Sequence, residues 1–335
     1  MKKLVFIIGC LSLLFITGCQ KELSDNFSTY TNHPLNDTLW ARNVSEGASV
    51  NELIGLLVPE IVIDSFEVAR DTTLKYGDSL EIFFTAGSCI APGTTAPTGK
   101  VKLEIVRLKT KGDYIKAFKP TTANSYLLET GGAFFIRVSK DGKELSLAAG
   151  TTVKIRFSDT QEPQSNLQAF YGKENNPVAA NRIDTSFTWA RDTDTGYLKT
   201  FQKPSNSQGM VIKGYEVTSK NLRWVSAERY IDSTRPKAKI TAILSPNFTN
   251  KNTAVFAVFT DQKTIVKLNA DFASRSFAAV NIPVNSKIKL VSISRIGDAL
   301  YLGTKDISDI GITAAYSLKP EKKSLKDLVG FLNGL

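Results

Sequence analysis

The stretch AFFIRVSKDGKELSL, residues 133–147, decides the fold class. Phe134, Ile136 and Val138 alternate with Phe135 and Arg137, the period of two that sends successive side chains to opposite faces of a strand. Asp141-Gly142 follows, a dipeptide that a two-residue hairpin turn favours because both positions tolerate positive φ. Leu145 and Leu147 then resume the buried parity. The stretch predicts a tight hairpin with one apolar face.

Outward from it, the same period runs from Ser65 to about Gly172. In TTVKIRF, residues 151–157, Val153, Ile155 and Phe157 point inward while Thr152, Lys154 and Arg156 point outward. In VKLEIVRLK, residues 101–109, the phase slips: Val101, Leu103 and Ile105 share one parity, Val106 and Leu108 the other. A β-bulge at Ile105-Val106 would reconcile the halves. Gly77, Gly99, Gly112, Gly131 and Gly132 punctuate the remaining strands at intervals that suit a sandwich. Glu174-Asn175-Asn176-Pro177 breaks the pattern and predicts a linker, beyond which short strands resume in KITAIL, TAVFAVF, TIVKL, KIKLVSIS, ALYLG and GITAAYSL. Leu53, Leu56 and Leu57 at helical spacing, stopped by Pro59, predict a short helix near the start. At the end, Ser324 is an N-cap with Asp327 three residues on, and Leu325, Leu328, Val329 and Leu332 mark a helix face expected to pack on the second sheet. No tandem repeat is evident. The prediction is an all-β chain of two β-sandwich-like domains, residues 35–172 and 178–335, with a short N-terminal helix and a C-terminal helix.

The first residues address location. Lys2 and Lys3 precede an apolar run at 4–16 that ends in Thr17-Gly18-Cys19-Gln20-Lys21-Glu22. The run fits a signal-peptide core and falls short of the roughly 20 residues a membrane span needs. Small residues directly before a cysteine resemble a bacterial lipoprotein signal, in which the thiol is alkylated with diacylglycerol and the cysteine becomes the new N-terminus. Residues 1–18 are the expected signal peptide and Cys19 the expected lipid attachment; cleavage before Cys10 would leave too short an apolar core. Residues 19–34, without hydrophobic period and rich in Ser, Thr and Asn, read as a flexible tether.

Removal of residues 1–18 leaves 40 Lys and Arg against 32 Asp and Glu, a formal charge of about +8. That balance suits anionic partners such as phosphorylated lipopolysaccharide or acidic glycans. Nucleic acid is not implied, because no arginine-rich run, zinc-finger spacing or RNA-binding aromatic motif accompanies the charge. The densest basic stretch, residues 100–119, reads as a solvated sheet face. With Cys19 acylated and Cys10 discarded, Cys89 is alone, so no intramolecular disulfide forms and the fold stands on its core.

The runs YGDSLEIFFTAGSC, GKVKLEIVRLKTKGDYIKAFKPTT, YLLETGGAFFIRVSKDGKEL and LQAFYG, with GYEVTSKNLRW, AVFAVFTDQKTIVKL and IPVNSKIKLVSISRIGDALYLG further on, resemble a family of uncharacterised surface lipoproteins of Bacteroidota. The resemblance covers most of the mature chain and carries no catalytic or binding residues with it. It implies sorting: in such lipoproteins a lysine beside acidic residues soon after the cysteine favours export, and Lys21-Glu22 is a partial match. The implied location is the outer membrane, lipid-anchored, with display at the cell surface. The first domain is also distantly similar to the β-sandwich of ankyrins and netrin receptors, which serves protein contacts and in some relatives cleaves itself at His-Phe-Ser. No such triplet occurs here.

Catalytic constellations are scarce. The only histidine is His33, in the tether, which excludes imidazole-activated nucleophiles and His-rich zinc sites from the folded part. Cys89 reads as a small buried hydrophobe. Ser286-Lys287-Ile288-Lys289 fits Ser-x-x-Lys but opens a strand and lacks companion motifs. Asp192-Thr193-Asp194-Thr195-Gly196 has alternating carboxylates but no distal Glu for a calcium loop, and reads as a polar turn. No catalytic residue, metal ligand or cofactor is therefore assigned. The positive hint is aromatic: Trp40, Trp189, Trp224, Tyr114, Tyr126, Tyr171, Tyr197 and Tyr215 include candidates for a sugar-stacking platform, with Trp189, flanked by Thr188 and Arg191, the residue chosen and Trp224 expected in the core. The expected function is a non-catalytic binding or structural role at the envelope, through an accessory glycan or an envelope-protein partner. The alternative is a carboxylate-dependent glycoside hydrolase, which needs only two acids.

Overall fold

A computed structural model describes residues 37–91, 96–158, 162–174, 187–193, 197–205, 211–231 and 234–335. Helix α1 (Ser49–Leu57) is followed by β1 (Val62–Glu67), β2 (Thr72–Tyr76), β3 (Leu80–Phe84), β4 (Cys89–Ile90) and β5 (Lys100–Leu108). Helix α2 (Lys111–Lys116) leads into β6 (Thr122–Ala123), β7 (Tyr126–Lys140), β8 (Lys143–Glu144), β9 (Ser146–Leu147), β10 (Val153–Ser158) and β11 (Gln168–Lys173). Then come β12 (Thr188–Arg191), β13 (Tyr197–Pro204), β14 (Val211–Ser219) and β15 (Arg223–Tyr230). The chain is all-β, with a helix near each end of the described part, as its period of two requires.

The opening hairpin forms as its sequence dictates. Ser139 pairs with Glu144 and Lys140 with Lys143, leaving Asp141 and Gly142 as the turn, both at positive φ (49° and 77°). The strand β7 lies in a sheet of order β1-β5-β7-β15-β11-β12, facing a second sheet of order β13-β14-β10-β3-β2. Between them Phe134, Ile136, Val138, Val153, Ile155 and Phe157 are buried together, each such side chain worth about 1.5–3 kcal/mol withdrawn from water. Cys89 lies in the same core, and burial pushes its thiol up to about 11, so it stays an inert hydrophobe.

The bulge expected at Ile105-Val106 is absent. Pairing of β5 with β7 runs without a shift from Lys102 opposite Ser139 to Leu108 opposite Ala133. Both parities are apolar because both faces are covered: Val101, Leu103 and Ile105 enter the sandwich core, while Val106 and Leu108 enter a second core on the other side. A shift does occur elsewhere, between Ala227 and Glu228 of β15, opposite Thr130-Gly131-Gly132. A Cβ on Gly131 would lie 2.7 Å from Leu167 Cδ1 and 3.1 Å from Tyr215 Cε2, so a larger residue there must displace the Leu167 side chain.

The expected boundary between residues 172 and 178 falls inside this sandwich by sheet membership. Strands β12 to β15 return to the two sheets that β1 to β11 began, and the chain leaves those sheets for the third only between Tyr230 and Lys237. Glu174, the first residue of the expected linker, is buried in an ion pair with Arg223 at 2.5 Å; Asn175, Asn176 and Pro177 lie outside the described residues. Polar residues signal a loop, and a loop within a sheet reads the same as a loop between domains.

After it come β16 (Lys237–Ile243), β17 (Thr253–Phe259), β18 (Ile265–Asp271), β19 (Ser276–Pro283), β20 (Ile288–Ile296), β21 (Ala299–Ile307), β22 (Thr313–Ser317) and β23 (Glu321–Lys323), then helix α3 (Leu325–Asn333). In place of a second sandwich, these strands make one sheet of order β22-β16-β19-β18-β17-β20-β21-β23, curled as a half-barrel around its own core. Its other face, through Phe256, Val258, Ile265, Val291 and Ile293, closes on the outer half of the first sheet with α1, α2 and α3 in one shared core. Helix α3 is capped as expected, the Ser324 hydroxyl accepting from Asp327 N at 3.1 Å. Its Leu328 and Leu332 face that shared core, and it touches α2, where Lys116 Nζ donates to Asn333 Oδ1 at 2.8 Å. The solvated basic face expected at 100–119 holds for Lys100, Lys102 and Lys109, which are exposed, and fails beyond them. Lys116 and Lys119 are buried, and Lys111 Nζ donates to the Thr260 and Phe259 carbonyls of the second sheet.

Candidate functional site

The stacking residue chosen from sequence is in the core. Trp189 is 1 % exposed, its Nε1 donating to the Pro120 carbonyl at 3.1 Å and its ring crossing Phe187 edge-on at 5.0 Å. It offers no face to a sugar. Trp224, Tyr114 and Tyr215 are buried too, and Trp40 packs on Phe277 at 5.0 Å. The two exposed members of the set are Tyr126 and Tyr197. Cys19, His33 and Asp194 lie outside the described residues. Asp192 is buried, and the described residues contain no cluster of three metal-ligating side chains.

Tyr197 leads to the outer face of the five-stranded sheet. Strand alternation in YLKTFQK, LEIFF and VKIRF sends Tyr197, Lys199, Phe201, Glu81, Phe83, Lys154 and Arg156 outward, because the opposite parities fill the sandwich core. Pairing register then lines them up across strands. One row runs Lys199, Glu216, Arg156, Glu81, Lys75, a ladder of alternating charge over all five strands. The row beside it runs Tyr197, Thr218, Lys154, Phe83, Thr73.

The ladder closes by direct contacts. Arg156 reaches Glu216 at 2.6 Å and Glu81 at 3.1 Å, Lys199 reaches Glu216 at 2.9 Å, and Lys203 reaches Glu81 at 2.6 Å. Glu81 is held below the ordinary carboxylate range chiefly by the Lys203 hydrogen bond. Burial draws Glu216 the other way, but hydrogen bonds from Lys199 and Arg156 outweigh it and hold it low as well. Each pair keeps its cation partly in solvent, and solvent-screened pairs contribute about 0.2–1 kcal/mol each to stability, so the ladder's main effect is to fix cations in place. Lys75, Lys154, Arg156, Lys199 and Lys203 stand against two carboxylates, which leaves the face basic. Lys154 Nζ sits 5.5 Å above the Phe83 ring and the Arg156 guanidinium 5.3 Å above Phe201. A shallow cavity of about 320 Å³ opens between Thr73, Phe83, Lys154, Arg156 and Lys199.

The chain matches no family model and no curated protein. The face must therefore be read on its chemistry. It offers an exposed phenol ring, half-buried phenyl rings and spare cations on one face of a five-stranded sheet.

Carboxylates elsewhere are similarly engaged. Glu104 pairs with Lys102 and Arg137 beside a cavity of about 530 Å³, and Glu129 with Arg229 and Gln164 beside one of about 240 Å³. Behind the latter, across from Thr130, lies Glu228, which is fully buried; neither of its oxygens has a hydrogen-bond partner of ordinary geometry among the described residues. Burial pushes its carboxyl up to about 8, against the opposing pull of Thr130, Ser226 and Lys263. Sequence reasoning passed over these groups. Alternation marks Phe83, Arg156 and Lys199 as outward, but nothing in the chain states which of them become neighbours.

Proposed function

We propose that this protein is a non-catalytic binding protein of the cell envelope, anchored in the outer membrane by lipid on Cys19 and displayed at the surface. Its ligand is an acidic glycan, taken on the outer face of the five-stranded sheet. The observation that carries the reading is the row Tyr197, Lys154, Phe83 beside a charge ladder with cations in excess. An aromatic ring supplies the apolar face a pyranose stacks on, and the adjacent ammonium and guanidinium groups meet carboxylate or phosphate substituents. Support for a non-catalytic role comes from the acids, which are tied to cations at Glu81, Glu104, Glu129 and Glu216. Glycoside hydrolysis is the alternative, favoured by the proton that Glu228 retains at neutral pH beside Glu129. Release of reducing ends from a bound glycan would establish that reading instead.

Retention on immobilised polyuronate should fall at least tenfold in Tyr197→Ala and in Lys154→Ala, a change of about 1.4 kcal/mol. It should weaken with added salt, since exposed charges are screened within about 10 Å at 0.1 M. Melting temperatures should stay close to wild type because Tyr197 is 50 % exposed. Wild-type retention by both variants would remove the face from consideration.

The anchor is tested separately. Cys19→Ser should release the protein from membranes and abolish fatty-acid labelling, since each buried CH₂ of an acyl chain adds about 0.8 kcal/mol of membrane affinity. Labelling that persisted would move the anchor to Cys10. Proteinase added to intact cells should digest the wild-type protein, and full protection would count against surface display.

A further inference from the structure

A second site lies on the opposite half of the molecule, where the segment after Asp37 crosses the half-barrel sheet. Ala41 is clamped there by the side chain of Asn250, which accepts from its N–H at 3.1 Å and donates to its carbonyl at 2.6 Å. Beneath this segment a cavity of about 130 Å³ is lined by Val44, Val50, Asn51, Lys267, Leu268 and Phe277, among others. Lys267 stands on β18 opposite Phe256, a parity otherwise given to the apolar shared core through Ile265. The residue is half-buried, and no hydrogen bond or ion pair to it is found among the described residues. Among the described residues no carboxylate lines the cavity, and Lys267 is the one titratable group there. Burial accordingly lowers the pKa of the amine. A lysine on an apolar face with no counter-ion is costly to keep charged, and the neutral amine that results is a nucleophile.

We propose that Lys267 is a reactive amine and that the cavity before it receives a small uncharged aldehyde, captured as an imine. The amine lone pair attacks the carbonyl carbon and the carbonyl π electrons pass to oxygen, giving a carbinolamine after proton transfer from nitrogen to oxygen. Loss of that hydroxyl with the remaining nitrogen proton releases water and leaves the C=N bond. The cavity admits only a few heavy atoms, walled by Val44, Val50, Leu268 and Phe277. It favours an uncharged aldehyde over a keto acid, because once the amine is consumed no cation in the lining is left to pair a carboxylate.

The test is reductive trapping on the full chain at neutral pH with limiting propanal and cyanoborohydride, read by peptide mass mapping. A lowered pKa leaves more of the amine neutral and nucleophilic at neutral pH, so the peptide carrying Lys267 should take up several times the label of any other lysine peptide. Pyruvate under the same conditions should give no such preference. Lys267→Met should remove the favoured adduct and leave the background labelling of other lysines unchanged. Equal labelling across the lysines of the wild-type protein would overturn the proposal, and that measurement needs no variant to fold.

Discussion

Glu228→Gln is expected to stabilise the protein at pH 8 by several kcal/mol and to leave its stability almost unchanged near pH 4. The wild-type carboxyl is fully buried, and burial pushes its pKa from an ordinary 4.5 to about 8. Above pH 4.5 the unfolded chain releases this proton while the folded chain keeps it, so folding must pay to retain or restore a neutral group. Stability is therefore lost as pH rises from about 4.5 to about 8 and levels off beyond. At 1.36 kcal/mol per unit the full effect is on the order of 5 kcal/mol. Glutamine is nearly isosteric with the protonated acid and carries no such dependence. Glu81, Glu104 and Glu216 act with the opposite sign: their folded pKa values are lowered, so the stability they add is present above 4.5 and lost as pH falls. Only the difference between variant and wild type isolates Glu228. Urea midpoints measured from pH 4 to pH 9 should diverge upward for the variant; parallel curves would show that the carboxyl is solvated.

Trp189→Ala is expected to cost about 3–5 kcal/mol, the range for truncating a core aromatic. The ring packs edge-on to both Phe187 and Trp224, at 5.0 and 6.4 Å, and its removal leaves the Pro120 carbonyl without its donor. Trp189→Phe should recover part of the loss through packing but not the hydrogen bond. The folded fraction of either variant should still be retained on polyuronate, because Trp189 lies away from the basic face. A loss below about 1 kcal/mol in Trp189→Ala would mean that the ring is not a packing element.

How much was legible in the chain varies with the range of the interaction. The hairpin at Asp141-Gly142, the inward set Val153, Ile155 and Phe157, and the Ser324 cap all rest on contacts within a few residues, and all are present as read. The slip in VKLEIVRLK was read as a bulge because a strand covered on one face must alternate, whereas β5 is covered on both. The linker at 174–177 was read from polarity, which is equally the mark of a loop between two strands of one sandwich. Helix α2 went unread since six residues offer too little period, although its Thr110 to Asp113 capping box is written in the chain. The candidate site was half legible. Its outward residues follow from alternation, but the + − + − + ladder depends on strands about 140 residues apart in sequence, from Lys75 to Glu216, being placed in one register.

The sequence by itself determined the all-β class, the turn positions and the parity of most strands, because φ preference and alternation are properties of neighbouring residues. Tertiary structure decided which face of each strand met another layer. That choice put Trp189 in the core and left Tyr197 exposed in one row with Lys154 and the half-buried Phe83. It also buried Glu228 and set Lys267 over a cavity, since desolvation comes from atoms that are distant in the chain and adjacent only once the sheets have packed.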